Sequence, residues 1–92
     1  MNEKTIKFDP PLLFAGDKPR AEVTMREPMV KDMRIADRTE GGDLDREVVM
    51  IARLTGINIE DLDTLSASQY KQLQNEYAAF FSPGGRSSDE PV

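Results

Sequence analysis

The sequence predicts a helix-rich α+β fold, an N-terminal β-hairpin followed by three to four short helices. Three observations predict it. Apolar and polar residues alternate with period two in two short stretches before Pro28, the pattern of a half-buried strand. From Asp43 to Phe81 apolar residues recur at three- and four-residue spacing, the pattern of helices that bury one face. Gly, Pro, Asn, Asp and Ser stand between these segments, where turns and caps need them.

In Lys4–Phe8, Ile6 and Phe8 face one way and Thr5 and Lys7 the other, which makes a short strand. Pro10-Pro11 is expected to interrupt it, because proline brings no donor to a ladder. Leu12-Leu13-Phe14 resumes the strand beyond the kink. Ala15-Gly16-Asp17-Lys18-Pro19 is turn chemistry, with Gly16 free to take positive φ. Arg20–Arg26 alternates again, with Ala21, Val23 and Met25 opposite Glu22, Thr24 and Arg26. The hairpin is expected to form a lid over the helices. The alternative is an edge that pairs with another subunit.

Glu27-Pro28 ends this strand, and Pro28 suits the opening of a short helix over Met29–Arg38. Met29, Val30, Met33 and Ile35-Ala36 give it a weak apolar stripe, and Arg34 and Arg38 suit the negative end of its dipole. Thr39-Glu40-Gly41-Gly42 is a flexible break. Asp43 is expected to cap the next helix, in which Leu44, Val48, Ile51 and Thr55 are spaced by four, three and four. Asp45 and Glu47 fall in its first turn and Arg53 near its end, as the dipole favours. Gly56 suits a left-handed cap, with Ile57 as the apolar contact that accompanies it.

Asn58 is placed to cap a single turn, Ile59–Asp63, with Asp61 at the reciprocal third position. Ile59, Leu62 and Leu65 are expected to pack inward. Ser66-Ala67-Ser68-Gln69 fits a capping box, and Leu65 with Tyr70 fits the hydrophobic staple around it. The helix that follows carries Tyr70, Leu73, Tyr77 and Phe80-Phe81 on one stripe, and Ser82-Pro83-Gly84-Gly85 stops it. The expected organisation is one domain overall, with an extended hairpin region over residues 1–28, a helical core over 29–81 and a disordered tail over 82–92.

Composition narrows the function. A 92-residue chain is near the lower limit for a self-sufficient core, so pairing with copies of itself or with a partner is natural. The absence of Cys and His excludes disulfides and Cys/His zinc sites. Twelve Lys and Arg are scattered among seventeen acids, for a net charge of −5. That balance disfavours nucleic acid, which calls for a basic patch. It favours solubility and a basic or aggregation-prone protein partner. No apolar run approaches the roughly 18 residues of a membrane span, and the N-terminus carries no apolar signal region. A cytoplasmic protein is expected.

Chemistry finds little to work with. A serine nucleophile would need a base, and no histidine exists; Ser66 and Ser68 are explained by capping. Asp43-x-Asp45-x-Glu47 resembles the start of a calcium loop, but Val48 stands where that loop requires glycine. Capping and a solvated acidic face account for Asn58, Glu60, Asp61 and Asp63. Leu65-Ser66-Ala67-Ser68 lacks the Asp and Leu that flank the modified serine of acyl carrier proteins. A helix-turn-helix around Gly56 would present a second helix that is not basic. No catalytic residue, cofactor or metal is expected, and the protein is not expected to be an enzyme.

Candidate partner-binding residues are Phe80, Phe81, Met29 and Met33. Aromatic residues at helical spacing are most often core, and burying each stabilises by roughly 1.5–3 kcal/mol. Leu73 and Tyr77 are therefore assigned to the core. Phe80 and Phe81 are adjacent and point about 100° apart, which leaves one of them off the centre of the stripe and open to a partner. Met29 and Met33 belong with Met25 and Met50 to a set of soft, adaptable side chains. On this reading alone, a small acidic regulator or inhibitor that masks a basic partner fits as well as any other binding protein.

A resemblance refines this. Val23-Thr24-Met25-Arg26-Glu27-Pro28 looks like a "hydrophobic-x-Leu-Arg-Glu-Pro" opening, and Lys31-Asp32-Met33-Arg34 resembles the "Gly-Asp-Leu-Arg"-like segment that follows it. Ile51-Ala52-Arg53-Leu54-Thr55-Gly56 resembles an "Ile-x-x-Leu-Thr-Gly" junction. Leu62-Asp63-Thr64-Leu65-Ser66-Ala67-Ser68-Gln69-Tyr70 looks like "Asp-Leu-x-x-Leu-x-x-x-Asp-Tyr", with Phe80-Phe81 as a closing aromatic pair. In order and spacing these motifs resemble the tail assembly chaperones of tailed bacteriophages, in the branch found in P2-like and Mu-like contractile-tailed phages. The match covers about two thirds of the chain. Gln69 stands where the family often carries an acid, and still serves the capping box.

The resemblance implies a non-enzymatic assembly factor. Such proteins bind the long helical tape-measure protein, keep it soluble, and give way to the tail-tube protein when the tube polymerises. It also implies action in the host bacterial cytoplasm during assembly and absence from the finished virion. A homo-oligomer would let many copies coat the tape-measure protein by avidity. In many such phages a frameshift near the end of the gene adds a second domain, and the loose Ser82–Val92 end is compatible with a linker or stop there.

Overall fold

In a computed structural model, which describes residues 3–81, strand β1 (Glu3–Leu12) pairs antiparallel with β2 (Arg20–Arg26). The register runs from Glu3 opposite Arg26 to Lys7 opposite Glu22, and Leu12 then meets Arg20 after a shift. As expected, Pro10-Pro11 interrupts the regular pairing, which resumes at Leu12, although the strand runs through both prolines and ends at Leu12, short of Phe14. Both prolines fall in the irregular stretch between Lys7 and Leu12, where the extra residues are unpaired and the missing donors cost no ladder bond. At the turn, the Asp17 N–H donates to the Phe14 carbonyl at 3.1 Å, and Gly16 takes φ +77°.

The hairpin covers the helices and forms one wall of the core. Ile6, Phe8, Leu12, Phe14, Val23 and Met25 supply six of the thirteen buried apolar residues among those described. They meet Ile51, Leu54, Ile57, Leu62 and Leu73 from the helices in one cluster. Ala21, expected on the same face, is exposed, because it lies beside the register shift.

Four helices follow among the described residues: α1 (Val30–Asp37), α2 (Asp43–Thr55), α3 (Ile59–Leu62) and α4 (Ala67–Ala79). Helix α1 is shorter than expected by one residue at each end. Met29 is its N-cap and Arg38 its C-cap. The cap of α2 is Gly42, not Asp43; its N–H donates to the Asp45 carboxylate at 3.0 Å, and Asp43 occupies the first helical position. An acid there still faces the positive end of the dipole. Leu44 is exposed in spite of its spacing, since the first turn of α2 does not reach the core cluster.

Gly56 caps α2 in the left-handed region at φ +76°, its N–H donating to the Ala52 carbonyl at 2.9 Å. Ile57 is buried directly after it. Asn58 stands at the N-cap of α3, but its side chain makes no capping bond. Leu62 is buried, Leu65 half-buried and Ile59 exposed, so the single turn packs by fewer residues than its three-residue spacing suggests. The capping box of α4 forms as predicted. Ser66 Oγ accepts from the Gln69 N–H at 3.2 Å, and Gln69 Oε1 accepts from the Ser66 N–H at 2.9 Å. Leu73 is fully buried, with Tyr70, Tyr77 and Phe80 packed around the core cluster. The tail expected over 82–92 lies outside the described residues.

Candidate functional site

The face of α1 that meets the rest of the protein is unusual in its chemistry. Its buried residues are Asp32 and Ala36. Asp32 is fully buried and takes four hydrogen bonds. Arg26 donates from Nη1 and Nη2 to its two oxygens at 2.8 Å each, Arg53 Nε donates to Oδ1 at 2.8 Å, and the Met29 N–H donates to Oδ2 at 2.9 Å. The paired bonds from Arg26 hold the Asp32 carboxyl well below the usual carboxylate range, assisted by Met29 and Arg53 and opposed by desolvation. One carboxylate thus ties the end of β2, the start of α1 and the last turns of α2 together.

Sequence reasoning missed this junction. It set Arg26 on the solvent side of a strand and Arg53 as a dipole complement, and gave Asp32 no task. The available signal was that all three fall inside the segments Val23–Pro28, Lys31–Arg34 and Ile51–Gly56 that carry the family resemblance.

With its inner face committed to Asp32 and Ala36, α1 turns its apolar residues outward. Met29 is 56% exposed, Val30 70% and Met33 49%. The Met33 N–H donates to the Met29 carbonyl at 3.2 Å, so the two methionines stand one turn apart on the same side. Met33 also lines an open groove of about 350 Å³. Its α1 wall is Met33, Ala36 and Asp37, and Tyr77 of α4 contributes from below. Asp43, Arg46, Glu47 and Met50 form the α2 wall. These four follow the helical repeat over two turns, about 10 Å of rise.

Phe81 does not line the groove but packs on Tyr77, which does. The two rings pack edge to face with centroids 5.3 Å apart, and Phe81 is 52% exposed. Phe80 goes elsewhere. It is half-buried against the core cluster, and Lys4 Nζ lies 5.2 Å from its ring centroid, on the β1 side. Of the four residues predicted for partner contact, Met33 lines the groove, Met29 stands one turn from Met33, Phe81 packs on Tyr77, and Phe80 is set apart.

Glu47, which the sequence placed only in a helix's first turn, lines the groove and is held there by two hydrogen bonds. Its Oε1 accepts from the Tyr70 hydroxyl at 2.9 Å and from Gln74 Nε2 at 2.8 Å. Burial first, and then the bond to Glu47, push the Tyr70 phenol far above its ordinary value. Tyr77 is raised as well, by burial and by the Glu47 charge. Among the described residues no group of three or more carboxylates is placed to hold a metal ion, and no helix is long and apolar enough to cross a membrane.

The site is an apolar groove with an acidic rim, suited to holding another polypeptide. No curated protein and no solved structure matches the chain. A family model described as phage tail assembly chaperone proteins, E, or 41 or 14, matches residues 5–82, most of the chain. The protein therefore belongs to the phage tail assembly chaperone family.

Proposed function

We propose that this chaperone binds the tape-measure protein and keeps it soluble until the tail-tube protein polymerises around it. It contributes no catalysis. It acts in the host bacterial cytoplasm during assembly and is left out of the finished virion. The observation that carries this reading is an open groove lined by Met33 and Tyr77, with the exposed Phe81 ring packed on Tyr77. Soft and aromatic side chains at such a place can cover an apolar stripe of varied shape, while the net charge of −5 keeps the complex in solution.

Co-expression with the phage's tape-measure protein tests this. The wild-type chain is expected to raise the soluble yield and to co-purify with it. Met33→Asp and Phe81→Asp are expected to abolish the complex with little change in thermal melting, since both side chains are half exposed. Phe80→Asp is expected to cost stability as well as binding, because Phe80 packs against the core. Failure of the wild-type chain to form any complex counts against the role.

A further inference from the structure

We propose that the groove takes one amphipathic α-helix whose apolar stripe is flanked by Lys or Arg, and that Glu47 reads the flanking charge. This rests on the chaperone reading above and specifies the chemistry of the bound segment. The apolar lining of Met33, Ala36, Met50 and Tyr77 offers contact without a fixed shape. The α2 wall runs through two helical turns, the span of anchors at i, i+3 or i+4, and i+7 on an incoming helix.

The rim supplies the sign. Among the described residues that line the groove, Asp37, Asp43 and Glu47 stand against one cation, Arg46, and Arg46 already leans on Asp43 at 3.5 Å. Glu47 differs from the other two acids. Both of its hydrogen bonds fall on Oε1, and among the described residues Oε2 has no hydrogen-bond or ion-pair partner. Tyr70 and Gln74 thus fix the carboxylate in place before any partner arrives. A cation that meets it gains a charge-assisted bond without having to order a mobile side chain. An acidic helix would bring its charges against Asp37 and Glu47, whereas a basic one is drawn in.

Two labelled synthetic helical peptides of about 18 residues, sharing one leucine stripe and flanked either by Lys or by Glu, provide the test by fluorescence anisotropy. The Lys-flanked peptide is expected to bind at least about tenfold tighter at low salt, with the advantage shrinking as salt screens it. Glu47→Gln, which keeps the side chain's shape, is expected to remove most of that advantage. Phe81→Asp should weaken both peptides. Asp37→Asn, at an exposed position, gives a second variant that leaves the Tyr70 network intact and is expected to reduce the preference more mildly. Equal binding of the two peptides, or an undiminished preference in Glu47→Gln, overturns the proposal. So does a dimer in light scattering whose interface excludes the peptides. Loss of the tape-measure complex in Met33→Asp without any charge preference sinks this inference and leaves the chaperone role standing. A clear preference without a tape-measure complex does the reverse.

Discussion

Arg26 and Asp32 meet as a fork on a fork. Two guanidinium nitrogens of Arg26 each lie 2.8 Å from a different oxygen of Asp32. The carboxylate is fully buried, while Arg26 and Arg53 stay roughly a third exposed. The planar match holds direction as well as distance, and it sets the angle at which α1 leaves the hairpin.

Removing the carboxylate leaves two arginines facing each other without an anion. Asp32→Ala is expected to destabilise by about 3–5 kcal/mol, the range for breaking a buried pair. Arg53→Met should cost less, because Arg26 keeps both its bonds to Asp32. Urea denaturation of the three proteins checks the order.

The same contact predicts acid sensitivity with a definite sign. Asp32 is depressed in the folded state, so its stabilisation is fully present above the ordinary Asp value of about 3.9. It is lost as pH falls from there through the much lower folded value. The difference in unfolding free energy between wild type and Asp32→Asn is therefore expected to be constant from neutral pH to about pH 5 and to narrow below pH 4. A gap that stays constant down to strong acid counts against the assignment.

Leu73 and Phe81 lie on one helical stripe in sequence but at opposite ends of the burial scale. Leu73→Ala is expected to cost about 2–5 kcal/mol. Phe81→Ala should stay within about 1 kcal/mol, the lost part being its edge contact with Tyr77. Thermal melts of the pair separate core from contact surface.

Gly56 at φ +76° has open space where a Cβ would stand, so the cost of a side chain there is conformational alone. Gly56→Ala is expected to destabilise by about 1–2 kcal/mol. Gly56→Asn should recover part of it, since asparagine tolerates that region. Chemical denaturation reads both.

Tyr70 is expected to resist ionisation. Its raised value means that its neutral form is favoured on folding, so its contribution is complete below the ordinary tyrosine value of about 10 and is lost as pH rises through the folded value. Absorbance titration at alkaline pH should show Tyr70 ionising late, and earlier in Glu47→Gln, where the charge that opposes it is gone.

The parts of the fold that were legible in sequence are those decided within a turn or two. The Ser66–Gln69 box and the Gly56 cap involve groups no more than four residues apart, and both form as written. The alternation of Ile6 and Phe8 against Val23 and Met25 correctly named the inward face. What escaped depends on distant partners. Asp32 and Arg53 are 21 residues apart, and Glu47 is 23 and 27 residues from Tyr70 and Gln74. No local pattern marks such pairs. Pro10-Pro11 correctly marked the break in the ladder, because a bulge can absorb two prolines that a regular ladder cannot. The adjacency of Phe80 and Phe81 showed that one of them would leave the stripe, but that Phe81 is the one, packed on Tyr77, is a tertiary fact.

Helix α1 is fastened by a charge, with Ala36 as its one buried apolar side chain. The outward residues Met29, Val30 and Met33 therefore carry little of the folding energy. That surface can be rewritten residue by residue to follow a different binding partner while the domain stays folded. Adaptability and stability are assigned to opposite sides of a helix only eight residues long.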